Sequence, residues 1–140
     1  LQLRIAARAG GSTNSDNIRL RFNSDITGYA YHYLYGDGSG VASGGSSNRA
    51  EILGGRITGS LSSADIFGVS VVDILDPFET TKNTTVRSFS GATDGTSNTV
   101  WLFSGVWIDT SAVTSIDLIS GDVDFVSGSR FSLYGLKASA

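Results

Sequence analysis

The sequence predicts an all-β protein, an antiparallel β-sandwich or barrel of about nine short strands in a single domain over residues 1–140. Three observations predict it. Apolar residues recur with a period of two, as they do on a strand with one buried face. Eighteen glycines and abundant Ser and Thr accompany one proline, a mixture that joins short strands by tight turns. No segment makes a convincing helix: the nearest, SSADIF from Ser62, has a serine cap and room for one turn.

The expected strands follow one another at short intervals. LQLRIAAR (1–8) opens the chain. NIRLRF (17–22) alternates Ile18, Leu20 and Phe22 with Arg19 and Arg21, which reads as an amphipathic strand with arginines on its solvent face. YAYHYLY (29–35) places Tyr29, Tyr31, Tyr33 and Tyr35 on one face. The Gly/Ser stretch 36–48 then reads as a long surface loop, because strand-like sequence flanks it and neither flank closes a core alone.

EILGGRIT (51–58) precedes IFGVSVVDIL (66–75), which is apolar on both alternating faces. That pattern calls for a central strand covered on both sides, or one whose second face is buried by a neighbouring subunit. Asp73 inside it needs partners, turn amides or an arginine. Pro77 in DPF ends the strand because it has no N–H for the ladder. TTVRSFS (84–90), TVWLFSGVWI (99–108), VTSIDLI (113–119) and SRFSLYGL (129–136) complete the set. The last pairs Phe131 and Leu133 on one face against Arg130, Ser132 and Tyr134, so the carboxyl end reads as locked into the core.

Composition narrows the function classes. Ten basic and 13 acidic side chains give a net charge of -3, unsuited to nucleic-acid binding through a basic face. Without cysteine, disulfides and thiolate metal sites are excluded. No apolar run approaches the length of a transmembrane helix, so no membrane insertion by helices is expected. A start at Leu1 without Met reads as a piece of a longer chain, of which this domain forms the carboxyl-terminal part.

Chemical motifs are sparse, and no enzyme or cofactor is expected. The single histidine, His32, lies between Tyr31 and Tyr33 and reads as a sheet residue ahead of a catalytic base. Glu51 and Glu79 are the only glutamates, and most aspartates stand in turn contexts such as GDGSG and GATDG. Asp122 and Asp124 in SGDVDF suit a turn before a calcium site, since the full loop pattern is lacking. The sequon at Asn83 has meaning only in a eukaryotic secretory setting. Four aligned tyrosines suit a platform for sugar rings, a core cap or a subunit interface. Arg19 and Arg21 are the accompanying candidates for polar ligand contacts. Trp101 and Trp107 suit cores and interfaces alike.

Three segments, LRFNSDITGYAYHYLYGDGS, VSVVDILDPFETTKNTTVRSFSG and GVWIDTSAVTSIDLISGDVDFVSGSRFSLYGLKA, together resemble a family of tailed-bacteriophage virion proteins. The likeness is densest in the last third, around Trp107, Thr110, Ala112, Thr114, Ser115, Ile116, Phe125, Gly128, Ser129 and FSLYG. The resemblance implies an antiparallel β-sandwich, jelly-roll-like, in a fibre, tail tip or capsid-surface appendage. The expected partners are further copies of the chain, as a homotrimer, other virion proteins, and a host surface glycan. A decoration or cementing protein without receptor binding is the alternative, and a small polysaccharide depolymerase or esterase is a third.

Overall fold

The computed structural model describes residues 1–95, 98–121 and 123–137. They form ten strands and no helix: β1 (Gln2–Ala7), β2 (Ser15–Phe22), β3 (Tyr29–Gly36), β4 (Val41–Arg49), β5 (Ile52–Thr58), β6 (Gly68–Leu75), β7 (Thr84–Thr93), β8 (Asn98–Trp107), β9 (Ile116–Ser120) and β10 (Arg130–Tyr134). All pairings between these strands are antiparallel. They build two unequal sheets, one of seven strands in the order β10-β1-β6-β7-β8-β3-β4 and one of three in the order β5-β2-β9. The chain is therefore an all-β sandwich, as its alternation predicts.

The core lies between the sheets. Ile18, Leu20 and Phe22 of β2 and Ile52 and Ile57 of β5 face Leu3, Ile5, Val72, Ile74, Val86 and Trp107 of the large sheet, all at most 4% exposed. β5 is the contact strand, packing across β6, β7 and β8. Its close approach depends on small side chains. A Cβ at Gly55 would collide with the Ser70 hydroxyl, and the Arg56 amide donates to Ser90 Oγ at 3.0 Å, a hydrogen bond from one sheet to the other. Serines on the inner face of β6 and β7 thus occupy positions where larger apolar residues would hold the sheets apart.

Two expectations change and a third is narrowed. The stretch 36–48 is no loop: most of it is β4, the edge of the large sheet. β4 has no apolar alternation to advertise it, because its residues answer to the rings of β3. A Cβ at Gly44 would lie 2.5 Å from Tyr33 Oη and one at Gly45 2.5 Å from His32 Cδ2, so glycine lets the β3 rings lie across the β4 backbone. The turn between them is held by Asp37 Oδ1, which accepts from the amides of Ser39 and Gly40.

The carboxyl-terminal strand is not locked into the core. β10 is the opposite edge of the large sheet and every residue in it is exposed, Phe131 by 38% and Leu133 by 55%. Both share a face with Leu3 and Ile5 of β1, but the small sheet does not extend over them. Phe131 gains an edge-on contact with Phe125, with ring centroids 4.8 Å apart. The strand at 66–75 is central, as expected, and of its two readings the one in which the chain itself covers both faces falls. β6 is central in the sheet, and Ser70, Val72 and Ile74 are buried, yet Val69 and Val71 on its other face are 56% and 40% exposed in the single chain.

One buried cation organises the end of the sandwich. Arg8, just past β1, is 8% exposed and its guanidinium donates to four backbone carbonyls: Ser63 at 2.7 Å, Ser62 at 2.9 Å, and Ser60 and Ile66 at 3.1 Å. The planar fork gathers the connection between β5 and β6 around a single charge. Replacing Arg8 by Met is expected to destabilise the fold by about 3 kcal/mol, because four inward-facing carbonyls lose their donor. Urea unfolding measures this, and a loss below about 1 kcal/mol would show that the loop is satisfied without Arg8.

Candidate functional site

The tyrosine strand does place its four rings on one face, the inward face of the large sheet, but the sandwich divides them. Tyr29 is fully buried. Its hydroxyl accepts from the Phe22 amide at 2.9 Å and donates to the Phe22 carbonyl at 3.3 Å, and burial pushes the phenol pKa up. Its ring stacks on Trp107, with centroids 6.2 Å apart and planes 17° apart. Tyr29 is a core residue with no face left for a ligand. Tyr31 is half-buried against the same core.

Tyr33 and Tyr35 belong to a different group. In register they oppose Phe103 and Trp101 of β8, toward the β4 edge of the large sheet. Tyr35 stacks on Trp101 at 4.1 Å and 14°, and Trp101 lies parallel to Phe103 at 5.6 Å and 8°. Tyr33 tilts against Trp101 and Phe103, at 5.4 Å and 6.2 Å. Tyr33, Tyr35 and Trp101 are each half-buried, so the column is an aromatic shelf with part of each of these rings open to solvent.

A cation borders the shelf. Arg56 of β5 lies over the Trp101 ring, its guanidinium carbon 5.3 Å from the ring centroid, while its nitrogens donate to Asn17 Oδ1 at 3.0 Å and Ser15 Oγ at 2.6 Å. Burial lowers the pKa of this guanidinium, which nonetheless stays charged at neutral pH. Trp101 Nε1 is buried and has no hydrogen-bond partner among the described residues. Aromatic faces with a fixed cation and phenolic tips are the elements that hold the apolar face and hydroxyls of a sugar ring.

No family model, curated protein or solved structure matches the chain.

The other candidates lie elsewhere. Arg19 and Arg21 occupy the outer face of the small sheet, where both pair with Glu51, at 3.5 Å and 3.0 Å; Arg21 also donates to the Ala50 carbonyl. Glu51 is 8% exposed, so this triad holds the start of β5 to β2, and the arginines do not join the shelf. His32 is exposed on the outer face of the large sheet, opposite Ser104 and Gly45. Asp73 meets the expected arginine: it accepts from Gln2 Nε2 and from Arg87 Nε, both at 3.0 Å, and the Gln2 bond first, then the Arg87 bond and charge, hold its carboxyl below the usual range. Asp122 lies outside the described residues, and among those described no group of three His, Cys, Asp or Glu side chains is placed to hold a metal. Arg56 and Arg8 carried no signal in the sequence, since each ends or interrupts an apolar strand in the manner of a solvent-facing residue.

The shelf is held by the buried aromatic knot on the same strands. Trp107 Nε1 donates to Asp25 Oδ2 at 2.9 Å, and Thr27 donates to Asp25 Oδ1 through its amide and hydroxyl. The Trp107 bond first, then those from Thr27, lower the Asp25 pKa. A depressed carboxylate contributes stability that is present above its unfolded pKa, about 4, and lost as pH falls through the folded value. Asp25→Asn is accordingly expected to be less stable than the parent at neutral pH, with the difference closing below about pH 4. Urea midpoints across an acid series read this, and a difference unchanged down to about pH 2 would assign the effect to shape instead of charge.

Proposed function

We propose that the chain is a non-enzymatic surface domain of a tailed-phage virion, a fibre or appendage head that contributes to host attachment by holding a surface glycan on the Tyr33, Tyr35 and Trp101 shelf. The observation that carries the reading is the shelf itself: a stacked aromatic column beside Arg56 at a margin of the sandwich. Aromatic rings are expensive to leave in water, and a column of them at the margin of a covered sheet suits a ligand with an apolar face and a polar rim. The sequence resemblance to virion proteins supplies the setting. Its hairpin neighbour, the β3–β4 turn, carries Asp37, Gly38 and Ser39 and offers small polar contacts around the rim.

A decoration or cementing role is the second reading, favoured by the apolar outer face of the large sheet, where Leu34, Phe89 and Leu102 are each about half exposed. The two differ in what they bind: a glycan for the first, a virion protein in fixed stoichiometry for the second.

The test is binding of the purified chain to a panel of immobilised bacterial surface polysaccharides. A selective signal that falls about tenfold or more in Tyr35→Ala and Trp101→Ala, with Arg19→Ala unchanged, is the expected outcome. Binding that ignores both aromatic changes, or no binding to any polysaccharide alongside tight capture by capsid or tail protein, would replace the attachment reading with the decoration one. Tyr35→Phe serves as the check on folding, since it keeps the stack and removes only the hydroxyl.

A further inference from the structure

The outward face of the seven-stranded sheet is built in rows. Register places Val71, Phe89, Leu102 and Leu34 directly opposite one another on β6, β7, β8 and β3, so four apolar side chains form one continuous ridge across the sheet. The adjacent row reads Val69, Gly91, Val100, Gly36 across the same strands. It is a trough interrupted by valines: a Cβ at Gly91 would meet nothing closer than 4.0 Å. On the other side of the ridge the row is polar and contains the Asp73–Arg87 ion pair, Ser104 and His32.

The six large residues of the two apolar rows are 40% to 56% exposed, leaving together roughly 500 Å² of apolar surface open to water. That is at the upper end of what a monomer's largest patch shows, and with its polar margin it approaches the roughly 800 Å² per partner of a stable protein interface. The sandwich core does not use this face, since every one of these side chains points away from the small sheet.

We infer that this face is buried against the same face of a second copy of the chain. Three features select a copy over a foreign partner. A ridge beside a trough of similar length is self-complementary, because turning one face over brings ridge into trough, and Val, Leu and Phe side chains fill the roughly 10 Å between packed sheets. The Asp73–Arg87 pair on the face is internally neutral, its atoms 3.0 Å apart, and Arg4, the cation beside Val71 in the ridge row, lies over the Tyr134 ring toward the β10 margin, so the part of the face on β6, β7, β8 and β3 carries no net charge. Finally, neither apolar row carries a charged side chain on β6, β7, β8 or β3, so closing two copies together there buries no unpaired ion. This inference stands apart from the glycan shelf, which lies on the other side of the sheet.

The experiment is light scattering with sedimentation velocity on the intact chain over a dilution series, together with Phe89→Asp/Leu102→Glu and, away from the face, Leu61→Asp. The parent is expected at twice 14.6 kDa at micromolar concentration, the dimer formed where two faces meet about a two-fold axis. The double variant, altered only at outward positions, is expected to be monomeric with an unchanged far-ultraviolet spectrum and its dissociation constant raised about a hundredfold or more. Leu61→Asp is expected to assemble as the parent does. A parent that stays monomeric to about 100 μM overturns the inference, including when it captures a virion protein instead. So does assembly that survives the double variant or fails equally in Leu61→Asp. Polysaccharide binding by a monomer would overturn it while leaving the attachment reading intact.

Discussion

Strands spaced about 4.8 Å apart make a three-stranded sheet roughly 10 Å wide and a seven-stranded one roughly 29 Å wide, so the small layer can bury only part of the inner face of the large one. That mismatch governs the rest of the molecule. β5 is laid over β6, β7 and β8, and the residues directly beneath the small sheet are the fully buried ones. Toward one edge, Phe131 and Leu133 of β10 lie on the inward face and remain exposed; toward the other, Tyr33, Tyr35 and Trp101 keep part of their surface in water. Each margin answers with aromatic contacts: Phe125 on Phe131, and the stacked column of the shelf. Rings suit the task because they recover contact area from neighbours in their own sheet where no opposing layer exists.

A core this narrow places unusual weight on polar ties at its ends. At one end Arg8 holds four carbonyls; at the other, Asn23 does comparable work with a neutral amide. Its Oδ1 accepts from the Thr114 amide, the Thr114 hydroxyl and the Ser115 amide, while its Nδ2 donates to the Ala112 carbonyl. Asn23 and Ser24 both take positive φ, 54° and 56°, directly after β2. Asparagine accepts that conformation more readily than most residues, so one side chain both turns the chain and anchors the segment leading into β9. The Trp107–Asp25 bond and the Tyr29–Phe22 bonds lie in the same region, and together they fix the register of β2, β3, β8 and β9.

Much of this was legible in the sequence because period-two alternation reports the parity of side chains, and parity is what a sandwich needs first. Ile18, Leu20 and Phe22 are inward and Arg19 and Arg21 outward, as their spacing requires. Parity says nothing about whether a layer lies above a given face. Phe131 and Leu133 have the pattern of a buried strand, but nothing in the chain's local sequence encodes that the small sheet stops short of them. The same limit separates Tyr29 from Tyr35, and Trp107 from Trp101: identical residue types on one face, sorted into core and shelf by where β5 happens to cross. β4 was illegible for a different reason. Its glycines are chosen by rings on the neighbouring strand, so a segment with no alternation of its own is specified by Tyr33 and His32.

The two exposed surfaces that association could use are not equivalent, and physical chemistry favours the face. Both edges of the large sheet present unpaired backbone, and β4 is nine residues long and rich in glycine and serine. Edge pairing there would exchange hydrogen bonds to water for hydrogen bonds to protein, a net gain of about 1 kcal/mol each at best, and would order a segment with few side chains to bury. It would also propagate, since an edge-to-edge contact between two different edges leaves a free edge at each end. The ridge of Val71, Phe89, Leu102 and Leu34 gains by burial alone, at about 25 cal/mol per Å² of apolar surface, and requires no new backbone order because the strands carrying it are already paired on both sides. A face that gains from burial and closes on a copy of itself gives an assembly of fixed size, whereas an edge gives one that grows.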